Sequence, residues 1–162
     1  MKARFAFLLA AMAATSTSAQ AATVEHKQAP GAMIASAAII PPGSTLYYLS
    51  GATGAPIDPK DVESPDAFGD TEAQTLSIFT RMKAQLADMG LTMGDVVKLT
   101  VFLVGDPKLG GKMDRDGMTR AYKTFFGTAD QPNLPTRSAF QIAGLARPQQ
   151  LVEIEAIAAK AP

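Results

Sequence analysis

The sequence predicts an α+β fold, a two-layer domain in which a mixed sheet carries two helices on one face. Three observations predict it. Apolar residues alternate with polar ones in 151–159 and share one face of 96–104, as strands require. They recur at helical spacing in 71–89 and 113–126. Each helical stretch meets a glycine, Gly90 or Gly127, where a left-handed cap ends a helix without a Cβ clash.

The chain opens with Met1, Lys2 and Arg4, then an apolar run over 5–14 and a polar stretch ending in Ala19-Gln20-Ala21. A positive start, a short apolar run and small residues at a cleavage point form a secretory signal peptide. The run is shorter than the ~20 residues that span a bilayer. We expect residues 1–21 to be a signal peptide cleaved after Ala21, and the product to be exported, periplasmic or secreted. Removing 21 of the 162 residues leaves 141, a single domain over 22–162. Lys2 and Arg4 leave with the signal, so 15 basic residues become 13 against 15 acidic. A net charge of −2 lacks the basic surface that nucleic acid requires as a main partner.

The mature elements follow in order. Residues 22–32 show no period and read as a leading arm. Residues 33–40 are small and apolar, compatible with a strand, and Pro41-Pro42-Gly43 turns the chain into the β-branched and aromatic stretch 45–50. The two read as a hairpin. Residues 51–69, with their prolines, glycines and carboxylates, read as a long loop. Asp70 can cap the first helix, its carboxylate accepting free first-turn N–H groups. In strand 96–104, Val97, Leu99, Val101 and Leu103 share one face, and Lys98, Thr100 and Phe102 the other. A glycine-rich loop at 105–112 precedes the second helix, whose apolar face is Met118, Ala121, Tyr122 and Phe125. The loop 128–135 and strands 136–143 and 151–159 complete the order β-β-α-β-α-β-β. The sheet face away from the helices must meet solvent or another subunit.

Cysteine is absent, which excludes disulfides, zinc–thiolate sites and cysteine nucleophiles. The single histidine, His26, cannot build a multi-histidine metal centre, and it reads as a solvated residue. Glu153 and Glu155 lie two apart in a strand and share a face. That pattern suits a solvated surface, or a pocket where one carboxylate handles protons. Arg137 opens its strand directly after a proline-rich loop, a place from which a guanidinium can grip a carboxylate through two parallel hydrogen bonds. It can equally pair with a surface acid. Gly51 lets backbone approach a ligand closely, and Ser50 offers a hydroxyl; an ordinary strand-ending turn accounts for both as well. The run Gly105 to Lys112 lacks the spacing of a phosphate-binding loop.

Taken together, Pro135-Thr136-Arg137-Ser138, Phe140, Ala143, Leu145 and Val152-Glu153-Ile154-Glu155-Ala156 resemble the C-terminal signature of the Rid/YjgF family of enamine/imine deaminases. Ser50-Gly51, Gln74, Gly90, Asp95-Val96-Val97-Lys98, Thr100-Val101-Phe102, Tyr122 and Phe125-Phe126-Gly127 extend the resemblance to about residues 33–159. It implies a chorismate-mutase-like α+β fold and a homotrimer with sites in the clefts between subunits. It implies a substrate of the 2-aminoacrylate type, hydrolysed to a 2-keto acid and ammonia without metal or organic cofactor. By this resemblance Arg137 binds the substrate carboxylate and Glu153 positions water, with Ser50, Gly51 and Thr119 lining the site. Ala139 stands where many members have cysteine, Thr119 where asparagine is common, and Ser36 near an expected tyrosine. A trimer that binds small carboxylates or a protein without turnover, and a hydrolase of the same fold with another substrate, are the alternatives.

Overall fold

The computed structural model describes residues 22–162, so the expected signal peptide over 1–21 lies outside the described residues. Six strands and two α-helices form the domain. Strands β1 (Glu25–Lys27) and β2 (Ala37–Ile39) pair antiparallel as a small ribbon. Strand β3 (Thr45–Thr53), helix α1 (Thr71–Asp88), strand β4 (Val96–Val104), helix α2 (Arg115–Tyr122) and strands β5 (Thr136–Ile142) and β6 (Val152–Lys160) follow. The main sheet has the order β3-β6-β4-β5. The β4–β5 pair is parallel and the other two pairs are antiparallel, giving the expected mixed sheet.

Period-two alternation sets the faces of this sheet. Leu99, Val101 and Leu103 of β4 and Ile154, Ala156 and Ala158 of β6 are buried. They form the core with Ile78, Phe79, Met82 and Leu86 of α1 and Met118 and Tyr122 of α2. Lys98, Thr100, Phe102, Glu153 and Glu155 occupy the opposite, outer face, paired across the ladder as Thr100 with Glu155 and Phe102 with Glu153. Tyr48, in register with Ile157, is 74% exposed on that face, and Phe140, edge-to-face with Phe102 at 5.2 Å, is 43% exposed. Large apolar groups thus stand on a sheet face that this chain leaves open.

Both ends of α1 follow the sequence. The Asp70 carboxylate accepts from the Ala73 N–H at 2.8 Å, and Gly90 sits at φ 70°, a left-handed position. Gln74 is fully buried. Its amide donates to the Gly69 and Gln149 carbonyls at 3.0 and 2.9 Å and accepts from the Leu151 N–H at 2.8 Å. These bonds tie α1 to the start of β6. Each backbone group they satisfy would cost about 1–3 kcal/mol if left buried and unpaired.

Four expectations need correction. The stretches around Pro41-Pro42-Gly43 do not form a hairpin, because β2 pairs with β1 and β3 pairs with β6. The leading arm carries a strand, and His26 is half-buried with Nδ1 2.8 Å from the Leu134 carbonyl oxygen, so it is not simply solvated. Strand β3 runs on to Thr53, through an irregularity between Leu49 and Ala52, so the loop after it starts later than residue 51. Helix α2 ends at Tyr122, with residues 123–125 in a turn, and Phe126 is more deeply buried than Phe125.

Candidate active site

Arg137 is the second residue of β5 and lies in register with Leu99 of β4. That register turns it toward the helices. Its guanidinium carbon lies 4.5 Å from the centre of the Tyr122 ring, and its Nη1 is 3.6 Å from the Met118 sulfur. Met118 and Tyr122 are four apart in α2, so they stack on one helix face and form the floor beneath the arginine. The ring itself is held from behind: Phe126 stacks on it at 4.9 Å, and Phe79 meets it edge-on at 6.4 Å.

This floor is neutral. Among the described residues no carboxylate forms an ion pair with Arg137. Burial is the main cause that pulls its pKa below the ordinary arginine value, and a guanidinium so placed keeps its charge. A face of the group is covered by π-electrons and sulfur, an attraction of about 0.5–2 kcal/mol. Those contacts leave N–H donors without a carboxylate partner, the arrangement that receives an incoming carboxylate. Arg137 therefore does not make the surface ion pair that its sequence position also allowed.

Glu153 is positioned by a different part of the fold. It faces Phe102 of β4 and Thr53 of β3, on the outer face. Its carboxylate lies over Gly51: a Cβ added there would overlap Oε1 and stand 2.9 Å from Cδ. Gly51 thus makes room for the glutamate, while the sequence suggested room for a ligand. Ser50, exposed at the same irregularity in β3, borders an outer-face hollow of about 260 Å³ with Tyr48, Lys98, Thr100, Glu155 and Ile157. Lys98 donates to the Ser138 hydroxyl at 3.0 Å across this face.

The residues singled out from the sequence therefore fall into two groups. Arg137 and Thr119 belong to the helix side at the edge strand, Thr119 being half-buried in α2 next to Met118. Ser50, Gly51 and Glu153 belong to the outer side, around β3 and β6. Within one chain Arg137 and Glu153 are on opposite faces of the sheet and are not partners. A larger cavity of about 390 Å³, lined by Glu63, Asp66, Asp106 and Gln149 among others, includes none of these residues. Ala139 shares the strand face of Arg137, and Ser36 commits its hydroxyl to the Lys27 carbonyl within the arm. Sequence reading placed Tyr122 and Met118 in the core and missed their role under Arg137. Their spacing of four was visible, but only the β5–α2 packing shows what they support. Among the described residues no cluster of histidine, cysteine or carboxylates could hold a metal ion.

The family description Endoribonuclease L-PSP matches residues 26–160. The chain is 33% identical over 137 residues to the putative reactive intermediate deaminase TdcF of Escherichia coli, covering 85% of this chain and 95% of that protein. It is 35% identical over 105 residues to the 2-iminobutanoate/2-iminopropanoate deaminase of Escherichia coli, covering 65% and 73%. A crystal structure of Escherichia coli TdcF with bound serine is similar at a TM-score of 0.56 and 32% identity, covering 80% of this chain and 96% of that one.

The buried floor makes a prediction about pH. Desolvation pushes the Tyr122 phenol from 10.0 up to about 12, partly opposed by the Arg137 charge. The folded state favours the neutral phenol, so this group's contribution to stability is full below pH 10 and is lost as pH rises through about 12. An absorbance titration should show a tyrosine ionising near the upper value that disappears in Tyr122→Phe. Identical late titration in the two proteins would contradict the buried placement.

Proposed function

This chain belongs to the Endoribonuclease L-PSP family, known also as YjgF/Rid, and on that premise we propose that it is a hydrolytic deaminase of reactive enamine/imine intermediates. The observation that carries the proposal is the unpaired, half-buried guanidinium of Arg137 on its neutral floor. The relatives named as reactive intermediate and 2-imino acid deaminases support it. So does the serine in TdcF, since an amino acid carries the carboxylate that such an arginine would hold.

The chemistry needs one fixed carboxylate and one handled water. A 2-aminoacrylate first tautomerises to 2-iminopropanoate. Arg137 grips the carboxylate and so fixes the neighbouring imine carbon. Glu153 takes a proton from water as the water oxygen bonds to that carbon, and the C=N π pair moves to nitrogen. The proton passes from Glu153 to the amine. The C–N bond then breaks as Glu153 takes the hydroxyl proton and passes it to the departing nitrogen, leaving a 2-keto acid, ammonia and Glu153 as the carboxylate. No step calls for a metal or organic cofactor.

One chain cannot bring the two groups to one substrate, because they lie on opposite sheet faces. Two copies can. In the proposed homotrimer the outer faces pack together, and each cleft takes Arg137 and Thr119 from one subunit and Ser50, Gly51 and Glu153 from the next. Cyclic assembly repeats that heterologous contact until it closes. Export is part of the proposal: residues 1–21 are removed, and the protein acts outside the cytoplasm.

With dehydratase-generated 2-aminoacrylate, the purified protein should speed keto-acid release. Arg137→Ala should lose at least about a hundredfold in kcat/KM, and Glu153→Gln about tenfold to a thousandfold, mainly in kcat. Full activity in Arg137→Ala would remove the carboxylate anchor. A melting temperature raised by 2-keto acids without any turnover would favour the binding-module alternative. For export, N-terminal sequencing of the protein recovered from outside the cytoplasm should begin Ala22-Thr23-Val24; an intact Met1 would contradict cleavage.

A further inference from the structure

The neutral floor explains how Arg137 stays available, and a second arginine beside it bears on what it receives. Arg115 is the first residue of α2, three before Met118 and seven before Tyr122. Positions i, i+3 and i+7 lie along one helix face, and the latter two both touch Arg137. Thr119, at i+4, completes the row. Arg115 therefore stands at the N-terminal end of the surface on which Arg137 lies, and helical side chains lean toward that end. Their charges interact: Arg115 contributes to lowering the pKa of Arg137.

Positive charge in a first turn opposes the helix dipole. The acidic neighbours of Arg115, Asp114 and Asp116, form no ion pair with it among the described residues. Asp114 caps the helix by accepting from the Gly117 N–H at 2.8 Å. Asp114 and Asp116 both act on Arg120, whose Nε is bound to Glu72 at 2.7 Å. Among the described residues no ion pair joins Arg115 to any acid. Two arginines without an ion-pair partner among the described residues thus border one helix face, one half-buried and the other exposed. Like charges placed so repel each other until an anion lies between or beside them.

We infer that Arg115 is a specificity-determining residue that selects substrates with a second carboxylate, so that the preferred substrates are dicarboxylic 2-imino acids. This rests on the deaminase reading, in which Arg137 takes the carboxylate next to the imine carbon. Imino acids derive from amino acids, and the acidic amino acids provide the second carboxylate on the side chain. The reaction class that supplies such a substrate is two-electron oxidation of the Cα–N bond of an acidic amino acid, by an enzyme that passes the electrons to its own acceptor. The product consumed downstream is a dicarboxylic 2-keto acid. Arg137 fixes the reacting end and Arg115 the distal end.

The probes are 2-oxoglutarate, with two carboxylates, and 2-oxobutanoate, with one. Calorimetric titration of the full mature protein should give about fivefold tighter binding of the dicarboxylate, as expected for one added exposed charge pair. The preference should shrink as salt rises. Arg115→Gln should abolish it while leaving 2-oxobutanoate affinity within about twofold, since that ligand has no second carboxylate for Arg115 to pair with. Equal binding of the two ligands by the wild type, or an undiminished preference in Arg115→Gln, would overturn the inference. Arg137→Ala separates the two levels. If 2-oxobutanoate binding depends on Arg137 but no dicarboxylate preference exists, the role of Arg115 alone is refuted. If neither ligand responds to Arg137→Ala, the carboxylate anchor fails and the inference falls with it.

Discussion

The two-residue period of the β-strand is the constraint from which the site follows. Arg137 shares a face with Leu99 and turns to the helices, while Glu153 shares a face with Phe102 and turns outward. A slip of one residue in either strand would reverse these directions and expose half the core, so burial of Leu99, Val101, Ile154 and Ala156 locks both side chains in place. The hydrophobic core thereby places Arg137 and Glu153 on opposite sheet faces of a single copy. The same alternation puts Tyr48 and Phe140 on the face that carries Glu153, where both stand exposed.

The second theme is the use of uncharged packing to hold a charge. An acid beside Arg137 would occupy the donors that the proposed substrate carboxylate takes. The Tyr122 ring and the Met118 sulfur hold the guanidinium without doing so. The cluster of Phe79, Tyr122 and Phe126 fixes the ring through aromatic contacts, which set its angle as well as its burial. Gly51 does the complementary work on the other face, by leaving the volume into which the Glu153 carboxylate extends. Helix α1 serves both the core and the candidate site: it sets Phe79 against the Tyr122 ring, and through Gln74 it anchors the loop that leads into β6.

Much of this was legible in the sequence where the signal is local. The cap at Asp70, the left-handed Gly90 and the alternation of β4 and β6 need only neighbouring residues to recognise. The failures are non-local. Residues on either side of Pro41-Pro42-Gly43 look like a hairpin, but Tyr48 pairs with Ile157 and His26 with Ala38, choices made by the whole sheet. His26 looked solvated because its acceptor, the Leu134 carbonyl, is distant in sequence. Tyr122 was readable as a core residue, and its service to Arg137 was not, since nothing local links α2 to β5. Arg137 and Glu153 were recognisable by their motif, but a motif carries no information about which faces they occupy.

The claim that one site draws on two subunits can be tested by mixing two defective proteins. Arg137→Ala retains Glu153, and Glu153→Ala retains Arg137. Unfolded together in equal amounts and reassembled, random trimers should form intact clefts at about one quarter of positions, so about a quarter of wild-type deaminase activity should return. Each variant reassembled alone should stay inactive. No recovery in mixtures that demonstrably exchange subunits would contradict a shared cleft and with it the central account of this protein.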